Sequence, residues 1–398
     1  MLYKNDEELK REVFENPGPE YRGTPFWAWN TKMTKEKVKF MTEVLKDMGM
    51  GGAHLHSRIG MNNVYLSEEF MDLIKTAHEE FKEKGMLTWL YDEDKWPSGY
   101  AGGYVTKDHR FRERFLVFSV NEDQDKERAG IKPHYGSWAI PIRGDRSKFL
   151  AKYEIRLNNG YLSSYRRLRK DEEAAPGTIV RYAFSEVCGD NPWFNNRSYV
   201  NVLDKSAIDE FIRITHEKYY AELGEDFGKD IPAIFSDEPQ FPSKERLGYA
   251  DDDRTVTLPY SNDFEEDFER RYGCSLLDHL PEIFWELEDG KYSEIRYKFH
   301  DFVCERFVEA FADNIGDWCR KHSILFTGHM MEEPWLQSQT AVLGEAMRSY
   351  RGFDIPGIDM LCDRREFTTA KQAESAAHQI GAPGVMSELY GVTGYNFD

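Results

Sequence analysis

Between residues 24 and 103, short apolar runs alternate with longer segments in which apolar residues recur at helical spacing. The runs are TPFWAWN (24–30), GGAHLHSRIG (51–60) and MLTWLYDED (86–94). A run of this kind, bounded by turn residues, is the pattern of a strand buried on both faces. The segment 35–48 carries one stripe of Val38, Met41, Leu45 and Met48, and 67–84 carries Phe70, Leu73, Ile74, Ala77 and Phe81, which predicts two amphipathic helices. Gly49 and Gly85 stand where a left-handed cap ends a helix, and Ser67 before Glu68 and Glu69 suits a helix start. Strand, helix, strand in succession implies a parallel sheet.

From about 104 to 203 the helical period is lost. RFLVFSV, SWAIPI, AKYEIRL, TIVRYAFSEV and SYVNVL read as short strands of a β-rich insertion after the third strand. The α/β alternation then resumes with a helix over 206–223, strand PAIFSDEP, a helical region over 261–321 interrupted near Pro281, strands SILFTGHM and GIDML, a helix over 369–380, and strand GVMSELYG. The expected fold class is therefore α/β, a TIM-type (β/α)8 barrel with seven countable strands and the eighth lacking. The division is 1–103 for the first half of the barrel, 104–203 for the insertion and 204–398 for the second half. An open barrel leaves two strand edges exposed, so a second copy of the chain or a neighbouring segment is expected to cover them.

Charge narrows the partners. A net charge of -19 over 398 residues disfavours nucleic acid and anionic membranes, both of which need basic surface, and suits a neutral substrate. The five cysteines, Cys188, Cys274, Cys304, Cys319 and Cys362, are odd in number and never CxxC, which argues against a disulfide framework or a zinc knuckle and fits a reducing cytoplasm. The first residues are charged and lack an apolar signal core, and nothing approaches the length of a membrane span.

The ends of the predicted strands share a chemistry: Trp27, Trp29 and Asn30 on the first; His54, His56 and Arg58 on the second; Asp92, Glu93, Asp94 and Trp96 on the third. Asp237 and Glu238 follow on the fourth, His329 with Glu332 and Glu333 on the fifth, Asp359 on the sixth, and Glu388 with Tyr390 on the seventh. Carboxylates and aromatics converging on one rim suit a neutral polyhydroxylated ligand, the acids accepting from hydroxyls and the ring faces packing on C–H surfaces. Each piece also has a plainer reading. A tryptophan usually packs in the core, although Trp96 lies in a KWPSG loop where an exposed platform is equally plausible. An acid before proline commonly caps a helix, but Glu388 on a strand expected to be buried needs a task or a partner. His54 and His56 project to the same face, either as hydrogen-bonding groups or, with His329 and Asp359, as an amidohydrolase-type metal site.

Taken together, PFWAWN, DMGMGGAHLHSRIGM, WLYDEDKWPSGYAGG, AIFSDEP, TGHMMEE, DIPGIDML, AAHQIG and SELYGVTGYN, in this order, resemble the catalytic barrel of the α-L-rhamnosidase-like glycoside hydrolases of family 106 and their relatives. The resemblance runs from about residue 24 onward. It implies an inverting glycosidase with Glu238 as general acid and Glu388 as general base. It also implies that the remaining rim residues bind substrate, with no required cofactor. A calcium ion that touches the sugar hydroxyls is linked to the type, and here it would draw on Asp92 to Asp94, Glu332 or Glu333. Characterised members continue into β-sandwich domains after the barrel, which are the segments expected to cover its edge. Retention by the same glutamates, the metal-dependent reading and a non-catalytic sugar-binding remnant stand as alternatives.

Overall fold

The structure is a computed structural model that describes residues 10–125, 142–360 and 367–389. Its strands are β1 (Phe26–Trp29), β2 (Gly52–Ser57), β3 (Leu87–Tyr91), β4 (Arg114–Ser119), β5 (Arg143–Asn158), β6 (Tyr161–Leu168), β7 (Ile179–Cys188), β8 (Ala233–Asp237), β9 (Val256–Pro259), β10 (Leu325–His329), β11 (Ile355–Met360) and β12 (Met386–Leu389). Seven of them form one sheet in the order β1-β2-β3-β8-β10-β11-β12, every pair parallel, and this sheet curls into a barrel-like half with helices packed outside it. The other five build a separate antiparallel sheet in the order β6-β5-β7-β4-β9.

The helices Lys35–Asp47 and Glu68–Glu83 lie where the apolar stripes put them. Ser67 accepts from the N–H of Phe70 and opens the second helix, and Gly85 follows it at φ 65°. Because successive strand residues face opposite ways, β1 divides its aromatics between two layers. Trp27 and Trp29 point toward the helices, with Trp27 5.6 Å from Trp29 and 6.1 Å from Phe81, and Trp29 5.8 Å from Phe70. Phe26 turns the other way, toward His54 at 4.9 Å and Phe235 at 5.0 Å. Trp29 is thus fully buried between sheet and helices, not at the rim where the sequence put it as a ligand contact.

Other expectations change for equally local reasons. SYVNVL is a buried irregular segment: Tyr199, Val200, Val202 and Leu203 sit in the core, and Val200 makes a single bridge to Arg112. Two strands of the antiparallel sheet, β6 and β9, carry no signal of their own, since YLSSYRRL is mostly polar and exposed and VTLP is short. SWAIPI falls almost wholly outside the described residues. The strand carrying Glu388 was expected to be buried, yet β12 alternates half-buried and exposed positions because it pairs on one side only, with β11. Among the described residues no strand pairs with the outer edges of β1 or β12, and no helix is long and apolar enough to cross a membrane.

Close approach of β8 and β10 depends on one glycine. Gly328, at φ 147°, has its position for a Cβ only 2.1 Å from the carbonyl oxygen of Ser236, so a side chain there must push the two strands apart. Gly328→Ala is expected to destabilise the fold by about 2–4 kcal/mol, combining overpacking with a backbone conformation that alanine resists. Urea denaturation followed by circular dichroism checks this, and a change within about 0.5 kcal/mol would mean the strands have room to spare.

Candidate active site

The parallel register places the chemistry of four strand ends side by side. His329 lies opposite Asp237 across β10 and β8, and Asp359 lies opposite Glu388 across β11 and β12. The Nε2 atom of His329 is 3.0 Å from Oδ1 of Asp237, 3.8 Å from Oε2 of Glu388 and 3.9 Å from Oδ2 of Asp359. The second oxygen of Asp237 accepts from the Tyr91 hydroxyl at 2.6 Å. Glu238, the next residue, leaves the strand at φ 45°, a left-handed conformation uncommon for a glutamate, while its N–H donates to the His329 carbonyl at 3.2 Å. That sharp departure brings its carboxylate into the same group, with Glu238, His329 and Asp359 presenting polar atoms within 4.8 Å of one another.

Electrostatics sort these groups. Burial opposes charge on His329, but the hydrogen bond to Asp237 and the charges of Asp237, Asp359 and Glu238 outweigh it, so its pKa is held well above the usual imidazole range. Burial likewise opposes ionisation of Asp237, yet the His329 bond and charge, with His56 and Tyr91, bring it below the ordinary aspartate value. The other acids go the opposite way. Burial drives Glu238 well above the carboxylate range, with His329 pulling against it. Burial also raises Asp359 and Glu388 to about 7 each, again opposed by His329.

Neutral groups line the approach. His54 and His56 are buried, and burial lowers them to about 4 and about 3, so both are uncharged near neutral pH. His54 Nδ1 lies 3.0 Å from the carbonyl of Thr24 and must donate to it, whereas neither ring nitrogen of His56 has a partner among the described residues. The His56 ring rests 4.0 Å from that of Tyr91 and is close enough to Asp237 and His329 to feel their charges. Arg58 is exposed just beyond, near enough to lower Glu388 slightly, and Asn30 is exposed at the end of β1. Tyr390 lies outside the described residues. Tyr91 and Phe235 were not anticipated, although Trp89 and Tyr91 alternate along β3 with the period that points both inward.

Most of the acids expected to meet ligand are used internally instead. Asp92 accepts from the hydroxyls of Ser98, at 2.5 Å, and Ser236. Glu93 accepts five backbone N–H groups, from Asp94, Gly99, Tyr100, Ala101 and Gly102, at 2.6–3.0 Å. Asp94 accepts from Asn195 at 2.9 Å. These acids shape the loop after β3, and Ser98 in that loop donates to the Asp92 carboxylate and accepts from the N–H of Asp237 at 2.8 Å. Trp96 packs 5.4 Å from Trp193, half-buried and not a free platform. Glu333 is buried and accepts from the N–H of Met330 and Asp359 and from the Tyr350 hydroxyl at 2.9–3.0 Å, and Glu332 is exposed.

A calcium ion needs about six to eight oxygen ligands. Glu333 accepts from three protein donors, Asp92 from two hydroxyls and Glu93 from five backbone N–H groups, so these three acids are engaged within the protein. Glu238, His329 and Asp359 are, among the described residues, the one group of three or more potential ligands that converges. There His329 Nε2 lies 3.0 Å from Oδ1 of Asp237, while its Nδ1 is buried with no hydrogen-bond partner among the described residues. The amidohydrolase arrangement does not assemble either, since His54 and His56 are not part of this group.

The fold and the rim describe a barrel-like α/β protein with a cluster of acids at its strand ends. Among solved structures it is similar to a rhamnosidase from Novosphingobium sp. PP1Y, with a TM-score of 0.64 and 13% identity over 96% of this chain and 53% of that one. At that identity the likeness shows a shared fold, and this chain spans about half the length of the rhamnosidase it matches. No protein-family model matches the chain, and no curated protein matches it by sequence.

The loop after β3 yields a direct test. Glu93→Gln puts an amide NH2 against backbone donors that need an acceptor, which leaves buried N–H groups unpaired. A loss of about 2–4 kcal/mol in urea stability is expected, and a variant as stable as the parent would show the carboxylate to be dispensable.

Proposed function

We propose that the chain is a glycoside hydrolase that cleaves a terminal sugar, an α-L-rhamnoside in the first instance, by inversion with a pair of glutamates. The observation that carries this reading is the placement of Glu238 and Glu388 around one buried imidazolium, each carboxyl raised by burial and drawn back by His329. Two carboxyl groups gathered at one set of strand ends are the acid and the base that this chemistry requires. Glu238, held protonated by burial, donates its proton to the glycosidic oxygen as the bond to the anomeric carbon breaks. Glu388, ionised above about 7, takes a proton from the water that attacks the opposite face. His56, neutral and unpartnered, and Asp359 suit hydrogen bonds to sugar hydroxyls, while Tyr91 holds Asp237 and so keeps His329 in place. The shared fold with a rhamnosidase supports the choice of sugar.

Activity on aryl glycosides is the first test. Turnover of nitrophenyl α-L-rhamnoside that disappears in Glu388→Gln supports the reading, and proton NMR of the first-formed sugar shows whether the anomer is inverted. Glu238→Gln is expected to lower turnover of alkyl glycosides by about 10²–10⁴ and to spare substrates with activated aryl leaving groups. Equal loss on both substrates would remove Glu238 from the role of acid.

The pH profile follows from the same pair. A base must be ionised to act, so kcat/KM is expected to fall as pH drops through about 7, where Glu388 takes up its proton. It is also expected to fall at higher pH, where Glu238 loses the proton it must donate. An acidic limb near 4 rather than near 7 would show that the base is not a desolvated carboxylate.

A further inference from the structure

Away from the strand-end cleft, a cavity of about 970 Å³ opens where the segment after Glu238 meets β9, the helices Pro281–Phe284 and Glu294–Phe307, and the helix Leu336–Val342. Its lining includes Lys244, Arg246, Arg254, His300, Ile283 and Phe284. The one acid on its wall, Glu245, uses its carboxylate to accept from the N–H of Thr257 at 2.7 Å. Arg254 is paired with Asp252 at 2.7 Å, whereas Arg246 makes no ion pair among the described residues.

Lys244 is the unusual member. Its main chain is anchored, the backbone N–H donating to the carbonyl of Ala341 at 2.9 Å. Its ammonium lies 5.0 Å over the ring of Phe241 and 3.2 Å from Nδ1 of His300, and it has no carboxylate at ion-pair distance among the described residues. Burial lowers its pKa to about 7, the sign of a cation lacking a counter-charge. Burial and the neighbouring Lys244 lower His300 to about 4, so its ring is neutral, and Nδ1 accepts from Lys244. A neutral ring that accepts at Nδ1 carries its hydrogen on Nε2. The remaining Lys244 N–H groups and the His300 Nε2–H are therefore donors on one cavity wall, beside the apolar surface of Ile283 and Phe284.

We propose that this cavity binds an oxyanion, a carboxylate or phosphate carried on a small organic molecule, with Lys244 and His300 as its donors and Arg246 as a flanking charge. An isolated ammonium in a poorly solvated wall is costly unless an anion completes it. In a chain of net charge -19 such a seat must be local, since the overall field repels anions. This site is independent of the glycosidase reading and is read by binding alone.

The test is isothermal titration calorimetry on the full chain in an uncharged buffer system, with inorganic phosphate, D-glucuronate and, as neutral control, D-glucose. Binding of phosphate or glucuronate, and not of glucose, is expected, weakened at least ten-fold in Lys244→Met. Phosphate alone identifies a phosphate ester as the ligand class, glucuronate alone a sugar acid, and both a general oxyanion seat. Absence of binding by both anions to the wild-type chain, or binding that Lys244→Met leaves unchanged, overturns the proposal. Lys244→Met keeps the stem and removes an unpaired charge, so its melting temperature is expected to equal or exceed the parent's. Should that variant fail to fold, Lys244→Gln serves in its place, and the wild-type titrations decide by themselves.

Discussion

The buried contact between His329 and Asp237 organises the rim. In a poorly solvated cleft several neighbouring carboxylates cannot all ionise, because each added charge raises the cost of the next. A single imidazolium can compensate one of them closely. Asp237 takes that place, held at 3.0 Å by His329 and from the other side by Tyr91. Glu238, Asp359 and Glu388 are left with burial and mutual repulsion, and each is displaced upward. The upward displacement of these three acids thus needs no special residue; it follows from burial and from Asp237 holding the closest place beside His329.

That cation is positioned by backbone geometry. Gly328 allows β10 to lie against Ser236 of β8, so the next residue pair, His329 and Asp237, meets in register. The loop after β3 then fixes Asp237 from outside, through the N–H bond to Ser98, and that loop is itself wound around the Glu93 carboxylate. All three acids in the YDED stretch act here as internal acceptors. Their task is to hold a turn rich in glycine, where few side chains are available to satisfy backbone donors.

Much of this was legible in the sequence, and the failures share a cause. Strand and helix periods located the seven parallel strands, and acids after PAIFS and VMS pointed to Glu238 and Glu388. What a one-dimensional pattern cannot supply is the direction of a side chain on a strand covered on both faces. Trp29 reads the same whether it faces helices or cleft, and it faces Phe70. Likewise an acid count cannot tell a carboxylate aimed at a ligand from one aimed at its own loop, which is why Glu93 and Glu333 were assigned to ligand or metal and serve as braces. Short or polar strands such as β9 and β6 exist because neighbours recruit them, and local propensity carries no trace of that.

The position of Glu388 ties the chemistry to the edge of the sheet. β12 pairs only with β11 among the described residues, and the Glu388 side chain retains 20% of its exposure while His329 retains 1%. Desolvation is the largest influence on Glu388, so its affinity for a proton is set by whatever lies over that edge. Covering β12 with another strand would withdraw water from Glu388 and raise its pKa; leaving it open would let water and salt screen it toward the ordinary value. Closure of the sheet and the proton affinity of Glu388 are therefore one physical variable. The same edge that invites pairing, as any unpaired strand does, is the one from which Glu388 projects.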